Sequence, residues 1–206
     1  MTNLIEPTQI LEQAAKSVTD RTIKKPPSAD LITALLESES TAKKDKPEAN
    51  FSQLIGNWRL CFVSSKQTAQ TVKKSGQYLP IFLNIQLSYS PTTLEKLEMG
   101  NDPDFTPGSI QNIIQVASVK FTINGPAKFY PKKSLLAFDF TRMKVQMFGI
   151  TLYNGYIRDG KNSEAKFYQR KINQQAFFAY FLLTKQAIAA RGRGGGLALW
   201  ARISAN

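Results

Sequence analysis

The sequence predicts a mainly β protein: an antiparallel barrel preceded by short N-terminal helices. Three observations carry that expectation. All 22 Phe, Tyr and Trp lie from Phe51 onward. The apolar period changes from helical to two after residue 55. Turn residues punctuate the alternating stretches that follow. A packed core needs large apolar side chains, so the core belongs to residues 51–206, while residues 1–50 form a helical arm and linker. A stretch of roughly 155 residues suits one domain.

In the arm, Ile10, Leu11, Ala14, Ala15 and Val18 recur at helical spacing after Pro7-Thr8. Leu31, Ile32, Leu35 and Leu36 repeat the pattern after Pro26-Pro27-Ser28, where Ser28 reads as an N-cap. Ser38 to Asn50 is polar and lysine-rich and reads as a mobile tether. Two roles compete for these helices, an arm packed on the barrel and an adaptor for a partner protein.

In the second part, Trp58, Leu60 and Phe62 alternate with Arg59 and Cys61. Leu79 to Tyr89 alternates likewise, as does Val119 to Ile123. Leu136, Phe138 and Phe140 share a face, and Leu197, Leu199, Ala201 and Ile203 make another. Turns are expected at Asn101-Asp102-Pro103, Asn124-Gly125-Pro126, Asn154-Gly155, Asp159-Gly160 and the Gly192–Gly196 run. Alternating strands with one apolar face close most simply into a barrel, which removes exposed edges. The Gly56-Asn57-Trp58 entry suggests how one end seals. Trp58 fills the floor and Arg191, arriving from the far end, lies over it in a cation–π contact of about 0.5–2 kcal/mol.

The chain contains no histidine, which removes the usual general base near neutral pH and the commonest metal ligand. Its single cysteine, Cys61, permits no intrachain disulfide or thiolate cluster and reads as a packed strand residue. No phosphate-binding loop or dinucleotide fingerprint is present. Asp139 sits beside Arg142 and Lys144, where a cross-strand ion pair is expected. These features predict a protein that is not an enzyme and requires no cofactor. The first 25 residues lack an apolar core and carry Glu6, Glu12 and Asp20, which predicts neither a secretory signal nor a transit peptide. The longest apolar run, Ala176 to Leu183, is far short of the roughly 20 residues a spanning helix needs.

Charge is concentrated. Residues 1–50 carry 7 Lys+Arg against 8 Asp+Glu, residues 51–119 carry 5 against 4, and residues 120–206 carry 15 against 3. Lys128, Lys132 and Lys133 flank an aromatic hairpin at Phe129-Tyr130-Pro131, and Lys166, Arg170 and Lys171 surround Phe167-Tyr168. Cations mixed with aromatics suit an anionic membrane, at about 1 kcal/mol per cation near the surface. A plain solvated face and nucleic-acid binding are the alternatives. The Arg191–Gly196 run is a single RGG-like copy, and no RNP-like motif or recognition helix accompanies it.

With these segments in view, residues 51–204 resemble the plastid lipid-associated proteins, or fibrillins, particularly their cyanobacterial relatives. The resemblance lies in Leu54-Ile55-Gly56-Asn57-Trp58-Arg59-Leu60-Cys61-Phe62-Val63-Ser64-Ser65, in Phe138-Asp139-Phe140-Thr141-Arg142 and in Ala190-Arg191-Gly192-Arg193-Gly194-Gly195-Gly196-Leu197-Ala198-Leu199. It implies a lipocalin-like barrel that binds a lipid, prenylquinone or carotenoid at the thylakoid surface, on its cytoplasmic side, or in the cytoplasm. Trp58, Leu60, Phe62, Ile85, Leu87, Phe121, Phe138, Phe140 and Arg191 would then hold the guest. Lys128, Lys132, Lys133, Lys166, Arg170 and Lys171, with Phe129, Tyr130, Phe177 and Phe178, would meet anionic thylakoid lipids. Family members usually carry acids before the final Arg-Gly, and Thr184 to Ala190 has none, so no carboxylate role carries over. The alternative is an interaction module, an assembly factor or peripheral subunit of a photosynthetic complex. A chaperone for tetrapyrrole attachment ranks below both.

Overall fold

The computed structural model describes residues 6–65, 76–92 and 104–203. Two helices come first, α1 (Pro7–Thr19) and α2 (Ser28–Asp45), then a single turn, α3 (Phe51–Leu54). Eleven strands follow: β1 (Gly56–Ser64), β2 (Gly76–Tyr78), β3 (Leu83–Pro91), β4 (Thr106–Val116), β5 (Val119–Tyr130), β6 (Leu135–Phe138), β7 (Arg142–Met147), β8 (Ile150–Tyr156), β9 (Ala176–Leu183), β10 (Ala187–Gly192) and β11 (Leu197–Ile203). A short helix, α4 (Gly160–Ala165), lies between β8 and β9.

The strands make one antiparallel sheet. The order β4-β3-β1-β11-β10-β9-β6-β5 closes on itself because β5 also pairs with β4. The fold is therefore a closed eight-stranded barrel with N-terminal helices, as the residue pattern predicts. Strand β5 changes partner along its length. Its second part pairs with β6 through Ala127↔Phe138, and its first part pairs with β7 through Asn124↔Arg142. Strands β7 and β8 thus leave the barrel as an extension of the sheet β3-β4-β5, with β8 at its edge. The switch sits at Gly125, where an added Cβ would come within 2.0 Å of the Asp139 carbonyl oxygen. Asn124-Gly125-Pro126 is hence a crossing point inside β5 and not a turn, and Asn154-Gly155 lies inside β8. The Gly192–Gly196 run does turn, joining β10 to β11, and Asp159-Gly160 opens α4. Asn101-Asp102-Pro103 lies outside the described residues.

Three apolar cores result, the smallest being Phe105, Tyr130, Ala137, Phe167 and Tyr168. Inside the barrel, Trp58, Leu87, Tyr89, Ile110, Phe129, Leu136, Phe138, Tyr180 and Trp200 pack with Phe51 and Leu54 of α3. Outside it, Leu11, Ala14, Ala15, Leu31 and Leu35 of the helices cover Cys61, Phe62, Ala189, Leu199 and Ala201. The small alanines let α1 and α2 lie close to the strands. The expected tether does not begin at Ser38, since α2 runs to Asp45. Ser28 is the first residue of α2, not its cap, and no side chain caps that end.

Candidate functional site

The closed end of the barrel is built around Trp58. Its Nε1 donates to the Leu54 carbonyl at 2.7 Å, so α3 is pinned beneath the first strand. A guanidinium does lie over the indole, at 4.1 Å from the ring, but it belongs to Arg202 and not to Arg191. Arg202 also donates to the carbonyls of Ile55 at 3.0 Å and Gln53 at 3.1 Å. Gly56 explains itself here. Its φ is +126°, and an added Cβ would meet Arg202 Nη1 at 2.7 Å. Arg191 instead clasps Glu39 of α2, with Nε donating to Oε1 at 2.6 Å. Three arginines, Arg191, Arg193 and Arg202, lie in the last hairpin, and residue type alone did not distinguish them.

Phe62 also departs from expectation. The pairing of β1 with β11 slips between Leu60 and Phe62, and this bulge turns Phe62 outward beneath the helices. It packs edge-on against Tyr78 at 5.2 Å. Trp58, Leu87 and Phe138 are buried in the barrel interior, packed within one cluster. Leu60 and Phe140 are partly buried at the margin of that core. Phe138, Phe140, Phe178 and Trp200 form a connected ring cluster there, with centroids 4.8–5.5 Å apart.

Ile85 and Phe121 lie where the extension flares. Strand parity continues the interior face outward in three cross-strand rows. The innermost runs Leu87↔Asn112↔Ile123↔Met143↔Gly155. The middle row is Ile85↔Ile114↔Phe121↔Val145↔Tyr153, and the outermost is Leu83↔Val116↔Val119↔Met147↔Ile150. The opposite face carries Gln115, Lys120, Thr122, Lys144 and Gln146. Burial fades from Leu87 at 3% exposed to Val116, Phe121 and Met147 at 40–42%. Apolar side chains in five adjacent strands thus stand half in solvent, with a filled core at one end. Within this face the Asn112 Oδ1 is buried and makes no hydrogen bond among the described residues. An unpartnered buried acceptor costs about 1–3 kcal/mol, so a group that completes it is favoured there. Sequence patterning hid this surface because strands β7 and β8 interrupt alternation with a register shift between Val145 and Gln146.

The basic residues expected to meet lipid are dispersed in role. Lys128 is 1% exposed and donates to the Arg170 carbonyl at 2.8 Å, beneath the rings of Phe105 and Phe167. Its neighbours Phe129 and Tyr130 are buried too. They end β5 as core residues, because the strand points them into the two cores on either side. Lys132 pairs with Asp104 at 3.3 Å and Arg170 with Asp139 at 3.7 Å. Asp139 therefore meets an arginine other than its chain neighbour; Arg142 pairs with Glu164 at 3.1 Å. Lys133 stacks on Tyr130, and Lys166 and Lys171 are exposed. Phe177 and Phe178 are half-buried in β9.

Cys61, Tyr89 and Tyr180 are buried. Burial pushes the Cys61 thiol up to about 12, so it stays protonated near neutral pH. Burial likewise raises Tyr89 and Tyr180, whose hydroxyls share a 2.6 Å hydrogen bond in the core. Among the described residues no three His, Cys, Asp or Glu side chains come together as metal ligands. No described helix is long and apolar enough to cross a membrane. Comparison with models of protein families, with curated proteins and with solved structures finds no match to this chain.

Proposed function

We propose that the protein is a non-enzymatic holder of a lipophilic molecule, such as a lipid, prenylquinone or carotenoid, at the surface of a thylakoid membrane. The observation that carries the reading is the half-exposed apolar face of three rows, from Leu87 to Ile150, that continues the barrel interior into solvent. An elongated guest would lie along Ile85, Ile114, Phe121 and Val145, with its inner end against Phe140 and Phe178. Removing apolar area from water supplies the affinity, at roughly 25 cal/mol per Å2. Asn112 gives the guest a preferred end, because its amide can accept from a hydroxyl or donate to a carbonyl. The guest sits on the open half because the closed half is filled.

The competing reading, an assembly factor for a photosynthetic complex, draws on the ordered α1–α2 pair. Those helices already bury their apolar residues against the barrel, which leaves them little apolar surface for a partner. The test is uptake of a fluorescent lipophile by the purified chain in membrane-free solution. Phe121→Asn and Ile85→Asn should weaken it, and Lys132→Glu should leave it unchanged. Equal uptake by all four proteins would refute the reading. Solvent extraction of the purified protein would identify a retained guest.

A further inference from the structure

We infer that the protein docks on anionic bilayers through the row of chain reversals at the flared end of the sheet, and not through the clusters Lys128–Lys133 and Lys166–Lys171. The inference rests on the membrane half of the preceding reading and is independent of the guest. The Pro80–Phe82 bend before β3, the Ala117-Ser118 turn between β4 and β5 and the Phe148-Gly149 turn between β7 and β8 all end on one side. The register Leu83↔Val116↔Val119↔Met147↔Ile150 sets them level, and the Phe148 amide donates to the Ser118 carbonyl at 3.1 Å. Along this rim Ile81 is 67% exposed, Phe82 74%, Phe148 77%, Ile150 68% and Leu152 58%. These are the most exposed large apolar side chains among the described residues.

Phe148 sharpens the point. Its φ is +49°, followed by Gly149 at +81°. A bulky side chain in the left-handed region is strained, and the usual occupant of such a turn is Asn or Gly. Phe148 packs in none of the three cores, so folding does not explain it. Strain without a packing return is characteristic of positions kept for an external contact.

A cationic collar stands behind the rim. Lys120 and Lys144 flank it on the sheet's polar face, and Arg59 reaches the Ile81 carbonyl at 3.5 Å. Arg21, Lys24 and Lys25 line the depression that ends at Ile81. None of these six makes an ion pair with another described residue, unlike Lys132 and Arg170. Apolar wedges beneath cations that no described acid pairs match the order of a bilayer, hydrocarbon below anionic headgroups. A bilayer docked there also faces the outermost apolar row, giving a guest a dry route between membrane and protein.

The experiment is co-sedimentation of the full chain with vesicles of phosphatidylcholine alone or mixed with phosphatidylglycerol. Binding should require phosphatidylglycerol and weaken with salt. Phe82→Ser with Phe148→Ser should reduce it by about 10- to 150-fold per residue, since withdrawing such a side chain from water is worth about 1.5–3 kcal/mol. Lys120→Glu or Lys144→Glu should each reduce it by at least about fivefold, the equivalent of about 1 kcal/mol per cation. Lys132→Glu with Lys171→Glu should change little. Lipophile uptake in membrane-free solution should survive the rim substitutions, which separates a failure of docking from a failure of guest binding. The inference is overturned if the rim variants bind vesicles like the parent, or if the Lys132/Lys171 variant loses as much. It is overturned equally if the parent ignores vesicles and forms a dimer that the rim substitutions abolish.

Discussion

Removing the Glu39 carboxylate should weaken the hold of the N-terminal helices on the barrel. Glu39 and Arg191 lie 152 residues apart, yet their side chains meet fork to fork, with 9% and 26% of their surfaces exposed. Arg191 Nη1 also donates to the Gly195 carbonyl, fixing the guanidinium to the β10–β11 turn. Cutting a fully buried pair costs about 3–5 kcal/mol. An exposed pair is worth about 0.2–1 kcal/mol. With a quarter of Arg191 open to water, Glu39→Ala should cost about 2–3 kcal/mol. Arg191→Ala should cost about 2 kcal/mol, because Lys43 remains 3.1 Å from the carboxylate. The double variant should fall short of the sum by about 1–2 kcal/mol.

Urea unfolding followed by fluorescence of the buried Trp58 and Trp200 reads all four proteins. A pH series adds an independent check. Burial pushes the Glu39 carboxyl up, but hydrogen bonds and charge from Arg191 and Lys43 outweigh it and hold it below the ordinary carboxylate value. A carboxylate depressed in the folded state contributes stability above its unfolded pKa and loses it as pH falls through the folded one. The gap between the parent and Glu39→Gln should therefore be full at neutral pH and shrink in acid. Simple additivity, or a gap that ignores acid, would refute the bridge as the clasp between arm and barrel.

Three further outcomes are expected. Trp58→Ala should cost about 3–5 kcal/mol, and a thermodynamic cycle should couple it to Arg202→Ala but leave Arg191→Ala additive. Phe148→Asn should stabilise the chain by about 1 kcal/mol in thermal unfolding while weakening vesicle binding, and a loss of stability would mean the residue packs on folding. Asn112→Leu should leave stability unchanged or raise it by about 1 kcal/mol, but abolish the preference for a hydroxylated lipophile over its deoxy analogue in a competition assay.

The barrel itself was legible because its strands β1, β5, β6 and β11 alternate, and because aromatics begin where the barrel begins. Strand β9 hid inside the longest apolar run, because its register on β10 slips between Ala189 and Ala190, so that Tyr180 points inward and Leu182 toward the helices. The seal at the closed end was readable as chemistry, an arginine over Trp58, while the choice of Arg202 depends on β11 carrying it past Gly56. Phe62 was misplaced because one bulged residue reverses parity, and nothing in Leu60-Cys61-Phe62 marks a bulge. Lys128 was misread for a different reason. Charge suggests solvent, but a long stem lets its ammonium reach a backbone carbonyl under two aromatic rings.

The division of one sheet into a core and an open face follows from where β5 changes partner. Had β6 and β7 been a single uninterrupted strand beside β5, its outer neighbour would have been β9 throughout, and the barrel would have closed to the rim. The four residues of β6 pair with β9 from Leu135↔Ala179 to Phe138↔Ala176 and no further. Beyond that point β8 takes the place of β9, and β8 has no second strand partner among the described residues. The half that closes has its inward residues filled by Trp58, Phe129, Tyr180 and α3, so it supplies the stability. The half that stays open keeps the same inward pattern with nothing described above it. An edge strand with exposed Ile150, Leu152 and Tyr153 is an aggregation risk for a protein alone in water. A lipophilic guest on the face and a bilayer at the rim would remove that risk together.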